Sequence, residues 1–479
     1  MHETLTVPGL SEDENLTLNV LAEKLDAKGP RNRLRSSYYD GKRAIESVGG
    51  VIPPQYGQIG IALGWAAKGV DGLARRCNLD KFIWTSGDLE ALGMQQLEDS
   101  NFLMSEIAQA RTDSLIHGVS YLVTTRGTED EPAALIHARD ALSATGEWNV
   151  RRRRLDNLLS VTSRKDHKIT GFVLYLDGLT ITADHADGKW DVSRSEHSFG
   201  VPAEPLVYRP RSSRRMGKSR ISRPLMSHQD SALRALVRLE AHMDIYTIPK
   251  MILLGADEGI FRNADGTPKT SWQVALGRAF GIPDDEDAQN PRADVKQFSA
   301  ESPEPHLADL NALAKLAARE TDLPDADFAL SDMANPTSEG SYIAGRDNLI
   351  AEAEGAMDDW SISIRRAVTK GLAIQNGLSE VPAEWASIGT KWRSPLYLSR
   401  SAAADAGSKQ IGAAPWLADT EVGLELLGLD EQQIRRALAE KQRVTGRDVV
   451  AALANRSTSQ GAADAVSATV TGGSAASDG

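Results

Sequence analysis

The chain has 479 residues, of which 41% are hydrophobic but only 5% aromatic, so about two to four compact modules must be built mainly from Leu, Ile, Val and Ala. A net charge of −12 disfavours tight, static binding to duplex DNA, which depends on Lys and Arg neutralising phosphates, but not a protein past which DNA slides. The single cysteine, Cys77, excludes an internal disulfide and a cysteine zinc cluster, and we interpret it as a small buried hydrophobe.

The N-terminal part of the chain is predicted to be mainly helical. Apolar residues at helical spacing and an acidic first turn indicate a helix over 11–28, which Gly29-Pro30 should end. A second segment follows over 31–47, and 55–76 is predicted to be mostly helical. A clearer pair of helices is expected over 86–117, where apolar residues recur at helical spacing.

The middle of the chain changes to the period-two pattern of β-strands. Residues 120–125 follow the preceding helix as a strand, and the alternation continues downstream. The strands predicted at 169–176 and 179–182 are joined by Asp177-Gly178, a two-residue hairpin signal, and 190–192 is a further strand. We therefore expect a meandering antiparallel sheet in this part of the chain.

The second half alternates long helices with irregular segments. Helices are predicted at 222–246, at 303–320 and between Pro336 and Val381, the last with a continuous apolar stripe. The remaining segments are irregular turns at 251–300, a loop at 323–336, extended pieces at 378–400, two or three short helices at 415–453 and a disordered tail at 457–479. The predicted fold class is α+β and mainly helical.

None of the motifs for catalysis or cofactor binding is complete. Gly217-Lys218-Ser219 resembles the end of a phosphate-binding P-loop, but the glycine required five residues earlier is replaced by Ser212. The nine histidines are scattered without metal-ligand spacing, and there is no Gly-x-Ser-x-Gly nucleophile motif. No apolar run approaches the ~20 residues that span a bilayer. We therefore predict no enzyme activity, no cofactor, no metal and no membrane partner.

One segment, 209–223, is strongly basic and contains no acidic residue. Its cations are Arg209, Arg211, Arg214, Arg215, Lys218, Arg220 and Arg223. The segment is either a solvated connector or a contact with nucleic acid or with an acidic neighbouring subunit, and the net charge of −12 favours the subunit contact. A second basic run, Arg151 to Arg154, lies beside a strand and is open to the same interpretations.

The opposite bias occurs at 323–370, where nine acidic residues face four basic ones. The acids are Asp325, Asp327, Asp332, Glu339, Asp347, Glu352, Glu354, Asp358 and Asp359. An acidic channel lining would repel phosphate and leave passing DNA without deep electrostatic traps. An ordinary exposed helix face explains the same bias equally well.

The order of these parts resembles the portal proteins of tailed bacteriophages, in the form common in long-tailed phages of actinobacteria. The resemblance spans about residues 35 to 376. It is carried by Tyr38-Tyr39-Asp40-Gly41-Lys42, by His117 to Val123, by Pro205 to Pro210 with Met216 to Ile221 and Ile248-Pro249-Lys250, by Gln297-Phe298-Ser299 with Ser302-Pro303 and His306, and by Asn335 to Gly340. In that setting Gly217-Lys218-Ser219 is a turn before a helix.

The resemblance implies a portal fold with wing, stem, clip and crown regions. In this chain they correspond to a wing with an antiparallel sheet at 1–221, stem helices at 222–249 and 303–322, a clip at 250–302, a tunnel loop at 323–337, a long wing and crown helix at 338–376, a crown at 377–456 and a disordered tail at 457–479. The expected channel constriction is formed by Leu330, Ser331, Asp332, Met333 and Asn335.

The implied function is structural. The family builds a ring, usually a dodecamer, at one capsid vertex, through which double-stranded DNA passes without sequence specificity during packaging, retention and ejection. The resemblance implies contacts with the major capsid protein, scaffold, the terminase large subunit and a head–tail adaptor, with assembly in the host cytoplasm. A different minor capsid or connector protein and, less well supported, a packaging-related enzyme are the alternatives.

Overall fold

The computed structural model describes residues 4–42, 60–246, 250–254, 262–263, 265–268, 279–282, 294–298, 302–328, 345–397 and 400–447. The chain divides into two compact units, Met1–Pro395 and Leu396–Gly479. The predicted tail at 457–479 lies outside the described residues.

The first unit contains helices and antiparallel sheets, which confirms the α+β fold class. Its helices are α1 (Glu12–Tyr39), α2 (Trp65–Ala74), α3 (Met94–Asn101), α4 (Leu103–His117), α5 (Arg223–Tyr246), α6 (Glu304–Thr321) and α7 (Asp347–Gln375). Its strands are β1 (Leu79–Ile83), β2 (Val119–Arg126), β3 (Ala134–Arg139), β4 (Ala144–Asn149), β5 (Arg154–Lys165), β6 (Lys168–Leu176), β7 (Leu179–Ala186), β8 (Lys189–Glu196), β9 (Ala203–Val207), β10 (Lys250–Leu254), β11 (Ala279–Ile282), β12 (Asp294–Phe298) and β13 (Gly389–Trp392).

The predicted meander is a five-stranded antiparallel sheet with its strands in chain order from β4 to β8. Asp177-Gly178 forms the expected hairpin turn, and Gly178 has a φ of +81°, a left-handed conformation that favours glycine. A smaller sheet places β2 between β3 and β9, and β1 pairs with β13.

Helix α1 is longer than predicted, because it continues through Pro30 to Tyr39. Its start follows the predicted pattern, since Ser11 and Glu14 form a reciprocal capping box. The expectation that Gly29-Pro30 ends the helix is wrong. Tertiary contacts hold the second half in place: the Asn32 amide donates to the Ala141 carbonyl at 2.9 Å, and Tyr38 is buried.

The long helix α7 forms the centre of the largest core of the first unit. The predicted apolar stripe is confirmed, because Ala353, Met357, Trp360, Ile364 and Val368 are all buried. Trp360 is fully buried, and its indole N–H donates to the hydroxyl of Ser114 on α4 at 3.2 Å.

The segment 251–300 was expected to be irregular, and that expectation is wrong in part. Strand β10 pairs in parallel with β11 and antiparallel with β12, which gives a three-stranded sheet. These strands are four or five residues long and are separated by long intervals, so the sequence lacks the sustained alternation that reveals a strand.

The second unit has its own short helices. They are α8 (Arg400–Ala413), α9 (Glu421–Leu426) and α10 (431–447), with a 3-10 turn at Pro415–Asp419. The two or three helices predicted at 415–453 are present within the described range, whereas α8 lies in a segment for which no helix was predicted.

Candidate functional site

The basic segment 209–223 connects strand β9 to helix α5 and contains a tight turn. Arg211 and Arg214 close a small turn, in which each backbone N–H donates to the other residue's carbonyl. The side chains exposed to solvent are those of Arg209, Arg211, Arg214, Arg215, Lys218 and Arg223. Arg220, which sequence analysis grouped with them, is instead buried, with only 6% of its surface exposed.

Gly217 packs its backbone against two neighbouring segments. It has a φ of +69°, and a Cβ added there would lie 2.3 Å from the Gly118 carbonyl oxygen and 2.4 Å from that of Tyr208. No side chain fits in that space, so the glycine is required by close backbone approach as well as by its conformation.

Two of the three backbone N–H groups of Gly217-Lys218-Ser219 are hydrogen-bonded within the protein, and that of Gly217 donates to the Arg214 carbonyl at 3.2 Å. The Lys218 N–H donates to the Tyr208 carbonyl at 2.9 Å, and the Arg220 N–H donates to the Leu115 carbonyl at 2.8 Å. The Ser219 hydroxyl is buried and donates to the Ile116 carbonyl at 2.5 Å. A P-loop needs free amides around a phosphate and a hydroxyl available for Mg²⁺, so this segment is a structural turn and not a nucleotide site.

Arg220 joins three separate parts of the first unit. Its Nε donates to the carbonyl of Gly69 on α2 at 2.6 Å, and one terminal nitrogen donates to the hydroxyl of Tyr208 at 3.0 Å. The other terminal nitrogen donates to the carbonyl of Thr321, in the last turn of α6. A buried guanidinium is tolerated because these acceptors replace its lost hydration.

Glu352 on α7 extends this network. The Tyr208 hydroxyl and the Arg209 guanidinium each donate to one of its carboxylate oxygens. Burial alone would raise the pKa of Glu352, but the hydrogen bonds from Arg209 and Tyr208 and the charges of Arg209 and Arg220 outweigh it, so the pKa lies below its ordinary value. Arg209 also lies 4.0 Å from Asp322, which ends α6.

Helix α2 contributes a small-residue face to the same place. A Cβ on Gly69 would lie 2.9 Å from the Thr321 methyl, and one on Gly72 would lie 2.8 Å from Leu323. The absence of side chains lets α2 contact the chain where α6 ends. We call the group formed by Gly69, Tyr208, Arg220, Thr321 and Glu352 the junction.

Helices α5 and α6 start and end at the junction and pack against each other. Their shared core contains Leu225 and Ala232 from α5 and Ala314 and Ala317 from α6, with Trp65 beside them. Alanines at the contact allow the helix axes to approach closely. The chain therefore leaves the junction along one helix and returns to it along the other.

Helix α1 adds cations to the exposed basic segment, which sequence analysis did not foresee. Burial and then the charges of Arg31 and Arg214 lower the pKa of Arg35 to about 10, so cations of α1 and of the basic segment act on one another electrostatically. Burial and then the charges of Lys24 and Arg31 also lower the pKa of Lys28. The two segments are far apart in sequence, and only the fold reveals the enlarged basic surface.

The acidic residues of 323–370 are partly used within the chain. Asp327 lies 3.6 Å from both Lys68 and Arg346, and Glu352 belongs to the junction. On α7, burial and then the charges of Asp358 and Glu352 raise the pKa of Asp359 to about 6. The channel lining inferred from this bias stays a prediction.

The five residues predicted to form the constriction, Leu330, Ser331, Asp332, Met333 and Asn335, lie outside the described residues. Among the residues that are described, no cluster of His, Cys, Asp or Glu is arranged to hold a metal ion. Within the same ranges, no helix combines the length and the apolarity needed to cross a membrane. Cys77 is buried, and burial raises the pKa of its thiol to about 12.

Comparison with known proteins gives one consistent result. Residues 18–447 match the family described as phage portal protein, SPP1 Gp6-like. The chain is 26% identical over 421 residues to the portal protein of Mycobacterium phage L5 and 26% identical over 420 residues to that of Mycobacterium phage D29. In both cases the match covers 85% of this chain and 85% of the relative.

Solved structures of a gene transfer agent are also similar to the chain. A chain in the neck of the empty particle, computed with C6 symmetry, has 15% identity and a TM-score of 0.42, covering 77% of this chain and 90% of that one. A chain in the neck of the native particle, computed with C12 symmetry, has 15% identity and a TM-score of 0.37, covering 82% and 98% respectively.

Proposed function

The chain belongs to the phage portal protein family of the SPP1 Gp6-like type, and on that premise we propose that its copies close into a ring, usually of twelve subunits, at one capsid vertex. Double-stranded DNA passes through the ring without sequence readout during packaging, retention and ejection. The protein makes and breaks no bond. A separate motor drives the DNA, and the ring holds, gates and releases it.

The observation that carries this proposal is the pair of helices α5 and α6 rooted at the junction. Both helices are anchored at one end to α2 and α7 through Arg220, Tyr208 and Glu352. A helix pair anchored in this way is suited to form one segment of a rigid channel wall. The regions given above as stem, clip and wing come from the family resemblance and are kept as part of the proposal.

The partners follow from the regions. We assign the clip at 250–302 to contacts with the terminase large subunit and later with the head–tail adaptor, and the wing to contacts with the major capsid protein and scaffold. We assign the constriction to Leu330, Ser331, Asp332, Met333 and Asn335, between the end of α6 and the start of α7. Assembly takes place in the host cytoplasm, and the mature protein is part of the virion.

The exposed basic surface supports contact with either DNA or an acidic surface of a neighbouring subunit. The variant R211E/R214E/R215E distinguishes the two. Loss of ring formation assigns the surface to subunit contact. Normal rings that retain less DNA, with a weaker dependence on salt, assign it to DNA.

A cryo-electron microscopy reconstruction of the assembled ring tests the channel assignment. We expect residues 330–335 to lie nearest the ring axis, with α5 and α6 forming the wall around it. A reconstruction that places this segment on the outer surface contradicts the assignment of the constriction, and one that shows no central channel contradicts the proposed function.

A further inference from the structure

A concave pocket of about 250 Å³ lies between the start of β5, strand β9 and helix α7. Two of its cations, Arg152 and Arg154, come from the second basic run found in the sequence, which the proposed function does not use. We call this cavity the basic pocket. Its lining residues are Arg152, Arg154, Phe199, Val201, Glu204, Arg366, Thr369, Lys370 and Val381.

The basic pocket holds more positive than negative charge. Lys370 lies 2.8 Å and Arg366 3.8 Å from the buried carboxylate of Glu204. Arg152 and Arg154 share the carboxylate of Asp177, at 3.1 and 2.9 Å. Four cations against two carboxylates leave a net charge of +2 at this site. The pocket therefore attracts an anionic group although the chain as a whole carries −12.

The size and lining of the pocket favour a carboxylate side chain as the ligand. Drug-sized and cofactor-sized ligands usually occupy cavities of about 300–1,000 Å³, which this pocket does not reach. The Arg152 side chain is 57% exposed and can turn towards an incoming group. Phe199, Val201 and Val381 provide apolar surface for the methylene groups of such a side chain.

A matching acidic feature exists elsewhere on the same unit. The turn between β2 and β3 carries Glu129, Asp130 and Glu131 in succession, and all three are exposed. Glu131 accepts a hydrogen bond from the Thr128 N–H at 2.9 Å and so shapes the turn. Glu129 and Asp130 remain at the tip of the hairpin, where another molecule can reach them.

An apolar residue lies at the base of this hairpin. Phe102 is 77% exposed and has a φ of +49°, which is a left-handed conformation unusual for a bulky side chain. The neighbouring Asn101 side chain fixes the corner, because it donates to the Ala134 carbonyl at 3.0 Å and accepts from the Ile136 N–H at 2.7 Å. An exposed aromatic ring on a residue with an unfavourable backbone conformation is typical of a contact surface.

We propose that the acidic turn of one copy inserts into the basic pocket of the next copy in the ring. This inference rests on the ring assembly proposed above. A closed ring needs a heterologous contact, in which two different surfaces of the same chain meet. Copies that each carry −12 repel one another, and a pairing of this exposed acidic turn with a locally positive pocket reduces that repulsion where the copies touch.

Charge exchange tests the pairing. R152E and D130R are each expected to raise the protein concentration at which half of the subunits are assembled by about tenfold, because attraction becomes repulsion at every interface. The combined variant R152E/D130R should return to within about threefold of the original value. R164E, on the strand β5 that follows Arg152, removes an exposed arginine from Asp26 at 3.0 Å and is the matched control, with no expected change in assembly.

Assembly is measured by light scattering, and folding is checked by circular dichroism and thermal unfolding. Failure of the combined variant to recover assembly, with all variants folded, overturns the inference. A cysteine pair, D130C with R152C, gives a second readout, since the buried Cys77 does not compete for oxidation. Covalent ladders of linked subunits support the contact. Intact rings without such ladders overturn the inference and leave the proposed function standing, whereas absence of rings in the unmodified protein with scaffold and capsid protein present overturns both.

Discussion

The hydroxyl of Tyr208 is the single atom that connects Arg220 to Glu352, and its removal tests the junction most cleanly. Tyr208 is 1% exposed, and its hydroxyl accepts from Arg220 at 3.0 Å and donates to Glu352. Y208F removes one oxygen and leaves the ring, so no large cavity forms. Two hydrogen bonds to charged partners are lost, while Arg220 keeps its two carbonyl acceptors and Glu352 keeps Arg209.

We expect Y208F to lower the free energy of unfolding by about 2–3 kcal/mol, since hydrogen bonds to charged groups contribute about 1.5–3 kcal/mol and the partners stay buried. For a unit of this size that corresponds to a fall in Tm of about 3 °C. Urea unfolding at one fixed protein concentration measures the change. The matched control is Y175F, because Tyr175 is equally buried and no hydrogen bond of its hydroxyl is found among the described residues, so its loss should cost less than about 0.5 kcal/mol.

The loss of stability caused by Y208F should depend on pH. The pKa of Glu352 is lowered in the folded protein, so its contribution is present above the unfolded value of about 4.3 and is lost as the pH falls through the folded value. The difference between Y208F and the unmodified protein should therefore shrink below about pH 4. A Y208F cost no greater than that of Y175F, or one that grows in acid, refutes the reasoning.

Three further outcomes follow from the structure. G217A should lower the free energy of unfolding by about 3 kcal/mol, because the added Cβ meets two backbone oxygens. The control is G188A, since Gly188 has a φ of +77° but nothing lies within 4 Å of an added Cβ. In thermal unfolding G188A should cost only about 1 kcal/mol. Burial and then the charge of Asp140 raise the pKa of Asp113 to about 7. The folded protein therefore loses stability as the pH rises from about 4 to 7. In urea titrations the free energy of unfolding of D113N should exceed that of the unmodified protein by about 1–2 kcal/mol at pH 8 and equal it near pH 4. Mg²⁺ and ATP should shift the Tm of the unmodified protein and of K218A by less than about 1 °C, and stabilisation of the unmodified protein alone would restore the nucleotide-site interpretation.

The spacing of apolar residues predicted those elements whose buried face is encoded within the element itself. The stripe of α7, the hairpin at Asp177-Gly178 and the helices α5 and α6 were all visible from the spacing of apolar residues and turn residues. The continuation of α1 through Pro30 was not, because contacts made by Asn32 and Tyr38 with distant residues override the local signal. Strands β10, β11 and β12 were missed for a related reason, since pairing of short, distant strands leaves little trace in sequence.

The candidate site shows the same division. The basic segment was evident from its charge, but the burial of Arg220 and the addition of Arg31 and Arg35 depend on tertiary packing. Ser212 argued against a P-loop at the sequence level, and the hydrogen bonds of Lys218 and Ser219 supply the structural reason. The contact between Tyr208 and Glu352 was not predicted, because neither the Pro205–Pro210 stretch nor the acidic bias of 323–370 indicates that these two side chains meet.

Electron microscopy of the purified protein, combined with its mass by light scattering, tests the central claim most directly. The account predicts closed rings with a central hole and a mass near twelve subunits, either alone or once scaffold and capsid protein are present. A chain that stays monomeric with both of those partners present would contradict the assignment of a ring-shaped DNA channel.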